Sequence, residues 1–331
     1  MHHPKAVGRA GLTLPAELIG AAAPVQRAAD VARQAVQSDD SVLIVAEPGF
    51  CPEGIARAIH QAGPRASEPF LTVECGEPGV VVVRQLFGSD RSPRAEYETA
   101  TAGSALAEVR RGTIFLADVG EMPATAQMRL FRLMRDGEMR VRRSTSPIKC
   151  RFIASAAPGL EADVQQHRFR PELYRRLQRL RVDVPPLRDR PGDLPNVIEA
   201  VFDETCQGRD LRCALTPAAR TALAALRWAG NLEELRASLG RLVERCAGGL
   251  IRQEDVLADL QQIEMRPRTT VNTLTSLREA RLTFERDYIA TVLDAHNWRM
   301  TEAARVLGIE RANLYRKTRQ LGITRLKPRA S

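Results

Sequence analysis

Four short apolar runs, SVLIVAEPG (41–49), PFLTVECG (69–76), GTIFLADVG (112–120) and CRFIASAAP (150–158), constrain this chain more than any other feature. They are rich in β-branched residues, and segments of helix length separate them. Parallel strands need a long crossover between them, usually a helix, so the alternation predicts an α/β domain with a largely parallel sheet. The segment EGIARAIHQAG reads as the first crossover helix, ending at Gly63 before Pro64.

Beyond about residue 190 the strand signals vanish and helical patterns take over. Thr216 followed by Pro217 reads as an N-cap with proline at the first helical position, opening a helix that continues to Trp228. Asn231 with Glu234 three residues on reads as a capping box before NLEELRASLGRLVERCA. The organisation expected is a leader at 1–16, an α/β subdomain at 17–190, a helical subdomain at 191–264, a linker at 265–275 around Pro267, a helical domain at 276–324 and a basic tail at 325–331.

Composition narrows the class. Hydrophobic residues make up 44% and charged residues 27%, a globular balance. No apolar run approaches the roughly 20 residues that span a bilayer, and the first residues lack a signal-peptide core, so a cytoplasmic protein with no membrane partner is expected. Six scattered cysteines form no CxxC pair. They are expected to be reduced, mostly buried thiols, with no metal site.

Net charge is +9, and residues 276–331 hold twelve basic against six acidic residues, so +6 of it lies there. A basic end favours an anionic polymer as partner. In that stretch Thr301 is expected to cap a short helix, EAARVL. Gly308 supplies a left-handed turn, and RANLYRKTRQL follows as a second helix ending at Gly322. Ala304 sits where the two helices would touch, and Leu314 would pack beneath the turn. The outward face then carries Arg311, Asn313, Arg316, Lys317 and Arg319, groups that pair with base edges or clamp phosphates of double-stranded DNA.

The stretch TEAARVLGIERANLYRKTRQLGI resembles the Fis-type helix-turn-helix of bacterial enhancer-binding proteins, the activators of sigma-54 RNA polymerase. The resemblance extends back through LFGSD, FRPELYRRLQRLRVDVPPLRDRPGDLP and WAGNLEEL. It implies an AAA+ P-loop-type α/β subdomain and helical lid ahead of the DNA-binding domain. It implies self-association too, as a dimer through the long helix from Leu277 and as a higher oligomer through the AAA+ domain. RNA polymerase is a further candidate partner.

The resemblance also implies an ATP site, and here this chain departs from the family. The phosphate-binding loop corresponds to Ala46, Glu47, Pro48, Gly49, Phe50, Cys51, Pro52 and Glu53. Gly49 keeps its place, Ala46 and Cys51 replace glycines, and Pro52 stands where the phosphate-binding lysine belongs. Proline supplies neither that charge nor a backbone N–H. Arg57, one turn on, is the nearest candidate substitute.

Ala117 falls at the magnesium-binding Asp and Asp118 at the following Glu, although a register with Asp118 on the metal stays open. The sensor asparagine falls at Ala157 and the second-sensor arginine at Glu233, and residues 92–97 (SPRAEY) replace the sigma-54 contact loop. Arg170 and Arg176 match the intersubunit arginine fingers, with a solvated basic face as the other reading. The expectation is a DNA-binding regulator whose AAA+ domain serves as a scaffold, with ATP and magnesium as cofactors only if the altered site still binds them. The alternatives are a working ATP-dependent activator with atypical motifs and a regulator that binds nucleotide without hydrolysing it. With no sensory segment before Leu18, control is expected from abundance, a partner or a ligand.

Overall fold

The protein is described as a computed structural model over residues 13–88, 98–101, 103–141, 144–147, 149–209, 212–246 and 249–265, and over Ile289, Val292, Leu293, 300–306, Leu314, Lys317 and Thr318. Residues 1–260 and 261–331 form two compact units, and the division falls inside the last helix of the first.

The first unit runs α1 (Ala23–Val36), β1 (Val42–Val45), α2 (Pro52–Ala62), β2 (Phe70–Glu74), α3 (Gly79–Phe87), β3 (Glu98–Ala100), α4 (Ala105–Glu108) and β4 (Thr113–Ala117). It continues with α5 (Ala124–Asp136), β5 (Glu138–Val141), β6 (Ser144–Pro147), β7 (Arg151–Ala156), α6 (Leu160–Gln165), α7 (Pro171–Leu177) and β8 (Leu180–Asp183). The helical part follows as α8 (Leu194–Arg209), β9 (Ala214–Leu215), α9 (Pro217–Ala224), α10 (Asn231–Cys246), β10 (Leu250–Ile251) and α11 (Gln253–Met265).

The four apolar runs become β1, β2, β4 and β7, and with β8 they form one parallel sheet in the order β2-β4-β7-β1-β8. Alternate residues of β1 serve opposite layers. Leu43 and Val45 join one core with residues of α3, α5 and α7, while Val42 and Ile44 join the other with residues of α1 and α2. Strands buried on both faces need the near-continuous apolar sequence seen here, and each fully buried Leu or Ile contributes about 1.5–3 kcal/mol.

Several local expectations are corrected. Strand β8 gave no apolar run because it is an edge strand: only Val182 is buried, while Arg181 pairs with Asp183 and Glu161. The antiparallel β5–β6 pair, with β3 alongside β5, lacks apolar alternation and was equally unannounced. In the helical part β9 and β10 form a two-residue parallel pair. Helix α9 stops at Ala224, and Trp228 instead takes a left-handed backbone (φ 46°) with its indole N–H donating to the Leu223 carbonyl at 3.0 Å. All six cysteines are free as expected, but only Cys75 is buried; Cys51 is exposed and the other four are half-buried.

Candidate functional site

The C-terminal ends of parallel strands, where α/β folds usually hold ligands, gather the loop after β1, Glu74, Asp118 and Asp183. The loop 46–51 leads directly into α2, which starts at Pro52 as the sequence requires.

What fixes this loop is the start of α10. Gly49 has φ 89°, and a Cβ there would lie 2.1 Å from the Gly230 carbonyl oxygen, so only glycine fits. The Gly49 carbonyl accepts from the Glu233 N–H at 2.8 Å. Asn231, buried and left-handed (φ 51°), donates from Nδ2 to the Pro48 carbonyl at 2.9 Å and accepts at Oδ1 from the Leu187 N–H at 3.1 Å. The expected capping box is therefore only half present. Glu234 reaches back to the Gly230 N–H at 2.7 Å, but the Asn231 side chain bridges two other segments instead of capping its own helix.

Glu47 accepts two hydrogen bonds from Arg188, at 2.6 and 2.7 Å. That pairing holds the Glu47 carboxyl below its usual range. The pair therefore adds stability above the unfolded-state pKa of Glu47, lost as pH falls through the lowered folded value. Because it is largely solvent-exposed, Arg188→Ala is expected to cost under about 1 kcal/mol at neutral pH and nothing in acid, as thermal melts at the two pH values would show. Phe50 packs against both the sheet core and the helical core, and the Arg190 guanidinium lies 5.7 Å from its ring centroid.

The other side of the loop is acidic. Glu53 accepts from Arg57 Nε and Nη2 at 2.9 and 2.7 Å and from Thr72 Oγ1 at 3.0 Å. Arg57 also covers the Phe70 ring at 4.5 Å, so it is engaged away from the loop and does not replace the missing lysine. Asp118, left-handed at φ 50°, directly follows β4 and donates its N–H to Ser155 Oγ at 3.0 Å. Burial, then Asp118, Glu53 and Glu77, raise the carboxyl of Glu74 above its usual range.

A folded-state pKa raised in this way means that stability falls as pH rises through it. Glu74→Gln is expected to melt higher than wild type at pH 8, the difference shrinking towards acid. Glu74 is a residue the sequence reading missed, since nothing in its strand marks a carboxylate that faces Asp118. Among the described residues no group of three or more His, Cys, Asp or Glu could hold a metal ion.

Of the two finger-like arginines, Arg170 is exposed and only its backbone N–H is held, by Gln127 Oε1 at 3.0 Å. Arg176 is tied to its own subunit: Nη1 donates to the Met134 carbonyl at 2.8 Å and the guanidinium lies 5.9 Å from the Phe131 ring centroid. Arg190, also missed, is buried with Nη1 donating to the Ile19 carbonyl at 3.2 Å, while Nε and Nη2 have no hydrogen-bond partner.

In the second unit a helix covers Met300–Val306, and Ile289, Val292, Leu293, Ala303, Ala304 and Leu314 form its buried cluster. Two adjacent alanines let a neighbouring helix come close. Thr301 is exposed but lies inside this helix, one residue past its start, so it is not the N-cap expected. Lys317 is half-buried three residues after the fully buried Leu314, at the border of the packed face and not fully outward, and Thr318 is buried. Arg311, Asn313, Arg316 and Arg319 lie outside the described residues, as do Gly308 and the long helix expected from Leu277 apart from Ile289, Val292 and Leu293.

Comparison with known proteins matches the Sigma-54 interaction domain at residues 18–183, the AAA+ ATPase lid domain at 188–273 and the Fis family of bacterial regulatory proteins at 281–321. The DNA-binding transcriptional regulator NtrC of Klebsiella pneumoniae is 30% identical over 332 residues, covering 93% of this chain and 71% of NtrC. The Nif-specific regulatory protein of Azotobacter vinelandii is 28% identical, over 88% of this chain and 56% of that protein. The crystal structure of NtrX from Brucella abortus in complex with ADP superposes with a TM-score of 0.62 at 27% identity, covering 92% of this chain and 70% of NtrX. No described helix is long and apolar enough to cross a membrane. With the parallel sheet, the lid and the helix-turn-helix core in the same order, the chain belongs to the family of sigma-54 activators, DNA-binding transcription regulators that carry an AAA+ Sigma-54 interaction domain and a Fis-type helix-turn-helix.

Proposed function

We propose that this regulator acts by occupying specific DNA sites, with an AAA+ body that neither hydrolyses ATP nor remodels sigma-54 polymerase and that holds the DNA-binding domains together. The observation that carries this reading is the loop before α2: Pro52 stands at the lysine position, and Gly49 lies against Gly230 and Glu233 with acidic side chains at the neighbouring strand ends. A triphosphate with magnesium does not fit that set. Removing the lysine and the metal carboxylate strips most electrostatic stabilisation from phosphoryl transfer. In this reading Arg311, Asn313, Arg316, Lys317 and Arg319 contact DNA with Thr301 at the edge of the surface, and the helix from Leu277 pairs two copies.

The test has two arms on the full chain. Footprinting at moderate salt is expected to show discrete genomic sites, and saturating ATP with magnesium is expected to give no turnover above that of an Asp118→Ala variant. Equal binding to all DNA defeats the first arm; turnover abolished by Arg170→Ala defeats the second.

A second reading, nucleotide binding without hydrolysis, is favoured by one observation: the buried Arg190 has two unpartnered N–H groups beside Phe50. Calorimetry with ATP separates the two, since heat of binding that Arg190→Met removes supports this reading, and no heat supports the first.

A further inference from the structure

We propose that Cys206 and Cys213 form a reversible dithiol–disulfide couple in the lid. Cys206 lies in the last turn of α8 and Cys213 immediately precedes β9, and the two thiols are hydrogen-bonded to each other through both side-chain and backbone groups. Cys213 Sγ also lies 3.8 Å from the Val243 carbonyl oxygen of α10, which holds it in place, and Cys246 at the end of that helix is its next thiol neighbour. All three pack against the lid core and are half-buried, within reach of a small oxidant. Metal binding is the other chemistry of clustered thiols. No described group has the arrangement it needs, which leaves sulfur–sulfur bonding.

The oxidant is a peroxide. One thiolate attacks the peroxide oxygen and becomes a sulfenic acid while hydroxide leaves. The second thiolate displaces the sulfenic oxygen as a further hydroxide, so two thiols and one hydrogen peroxide give one disulfide and two waters. The bond ties the end of α8 to the start of β9 and so to the β9–β10 pair. Burial raises the Cys206 thiol, so the reaction is slow at neutrality and accelerates with pH, a response to sustained oxidation and not to a brief pulse.

The full-length protein is treated with hydrogen peroxide under native conditions, quenched with an alkylating agent and mapped by mass spectrometry. The expected product is a Cys206–Cys213 linked peptide that dithiothreitol releases, with two of the six thiols lost. The oxidised protein is expected to melt higher by ~5 °C, and the rise is absent in both Cys213→Ser and Cys206→Ala. Oxidation confined to the exposed Cys51, linkage of Cys213 to Cys246 in preference to Cys206, or linkage only in denaturant overturns the proposal. A Cys246→Ser variant keeps the test sound, because it is expected to retain the Cys206–Cys213 bridge. None of these outcomes depends on whether the protein binds DNA or nucleotide.

Discussion

Leu314→Ala is expected to abolish sequence-specific DNA binding while leaving the melting of the first unit unchanged. Leu314 is fully buried against Ile289, Val292, Leu293, Ala303 and Ala304. Truncating such a leucine costs about 2–5 kcal/mol, from lost transfer energy and the cavity left behind. A cluster this small draws on little more total stability than that, so the helix pair should be largely unfolded. Affinity for a specific site is expected to fall at least ~100-fold, because the surface that reads bases no longer exists as a surface. Arg316→Ala provides the contrast: it touches no described core residue and should keep the fold, reducing specific affinity by about 1–3 kcal/mol. Gel-shift titrations at fixed salt, with circular dichroism melts of the same variants, measure both. If Leu314→Ala binds like wild type, DNA is read elsewhere in the chain.

Asn231→Ala is expected to lower the melting temperature of the first unit by roughly 5–15 °C, from a cost of about 2–4 kcal/mol. Two effects add. The substitution leaves the Leu187 N–H, on a fully buried residue, without its acceptor and frees the Pro48 carbonyl. It also places alanine at φ 51°, a left-handed backbone that asparagine tolerates and alanine adopts at a cost of about 1 kcal/mol. Asn231→Gly separates the two, since it keeps the backbone and loses both hydrogen bonds; it should fall between alanine and wild type. Scanning calorimetry on the three proteins tests the order. If both variants melt with wild type, the side chain is not what joins the loop, the segment at Leu187 and α10.

These two residues show how differently the two regions could be read from sequence. The helix-turn-helix core follows from spacing alone: Ala304 and Leu314 were expected inside and are buried. The error was local, in that the helix starts at Met300 and takes in Thr301. A cap depends on one residue's backbone angles, which propensity ranks but does not decide. Asn231 was misread for the same reason. Its identity and spacing fit a capping box, but the competing partners come from 44 residues away at Leu187 and 183 residues away at Pro48.

The loop before α2 divides along the same line. Its departures from the phosphate-binding pattern, Pro52 above all, are visible in the letters, because loss of a lysine and of a backbone N–H is a property of residue type. What the loop does instead is not visible there. The contact of Gly49 with Gly230, the Glu47–Arg188 pair, the carboxylates around Glu74 and the burial of Arg190 all join residues far apart in the chain.

Sequence by itself determined the fold class, the order of subdomains and the core of the helix-turn-helix, since these rest on periodicity and local propensity. Only the tertiary structure decided which side chains surround the altered loop, how Lys317 and Thr318 divide between packed and open faces, and which thiols meet. The physical reason is that hydrogen bonds, burial and charge act over a few ångströms of space, whatever the distance along the chain.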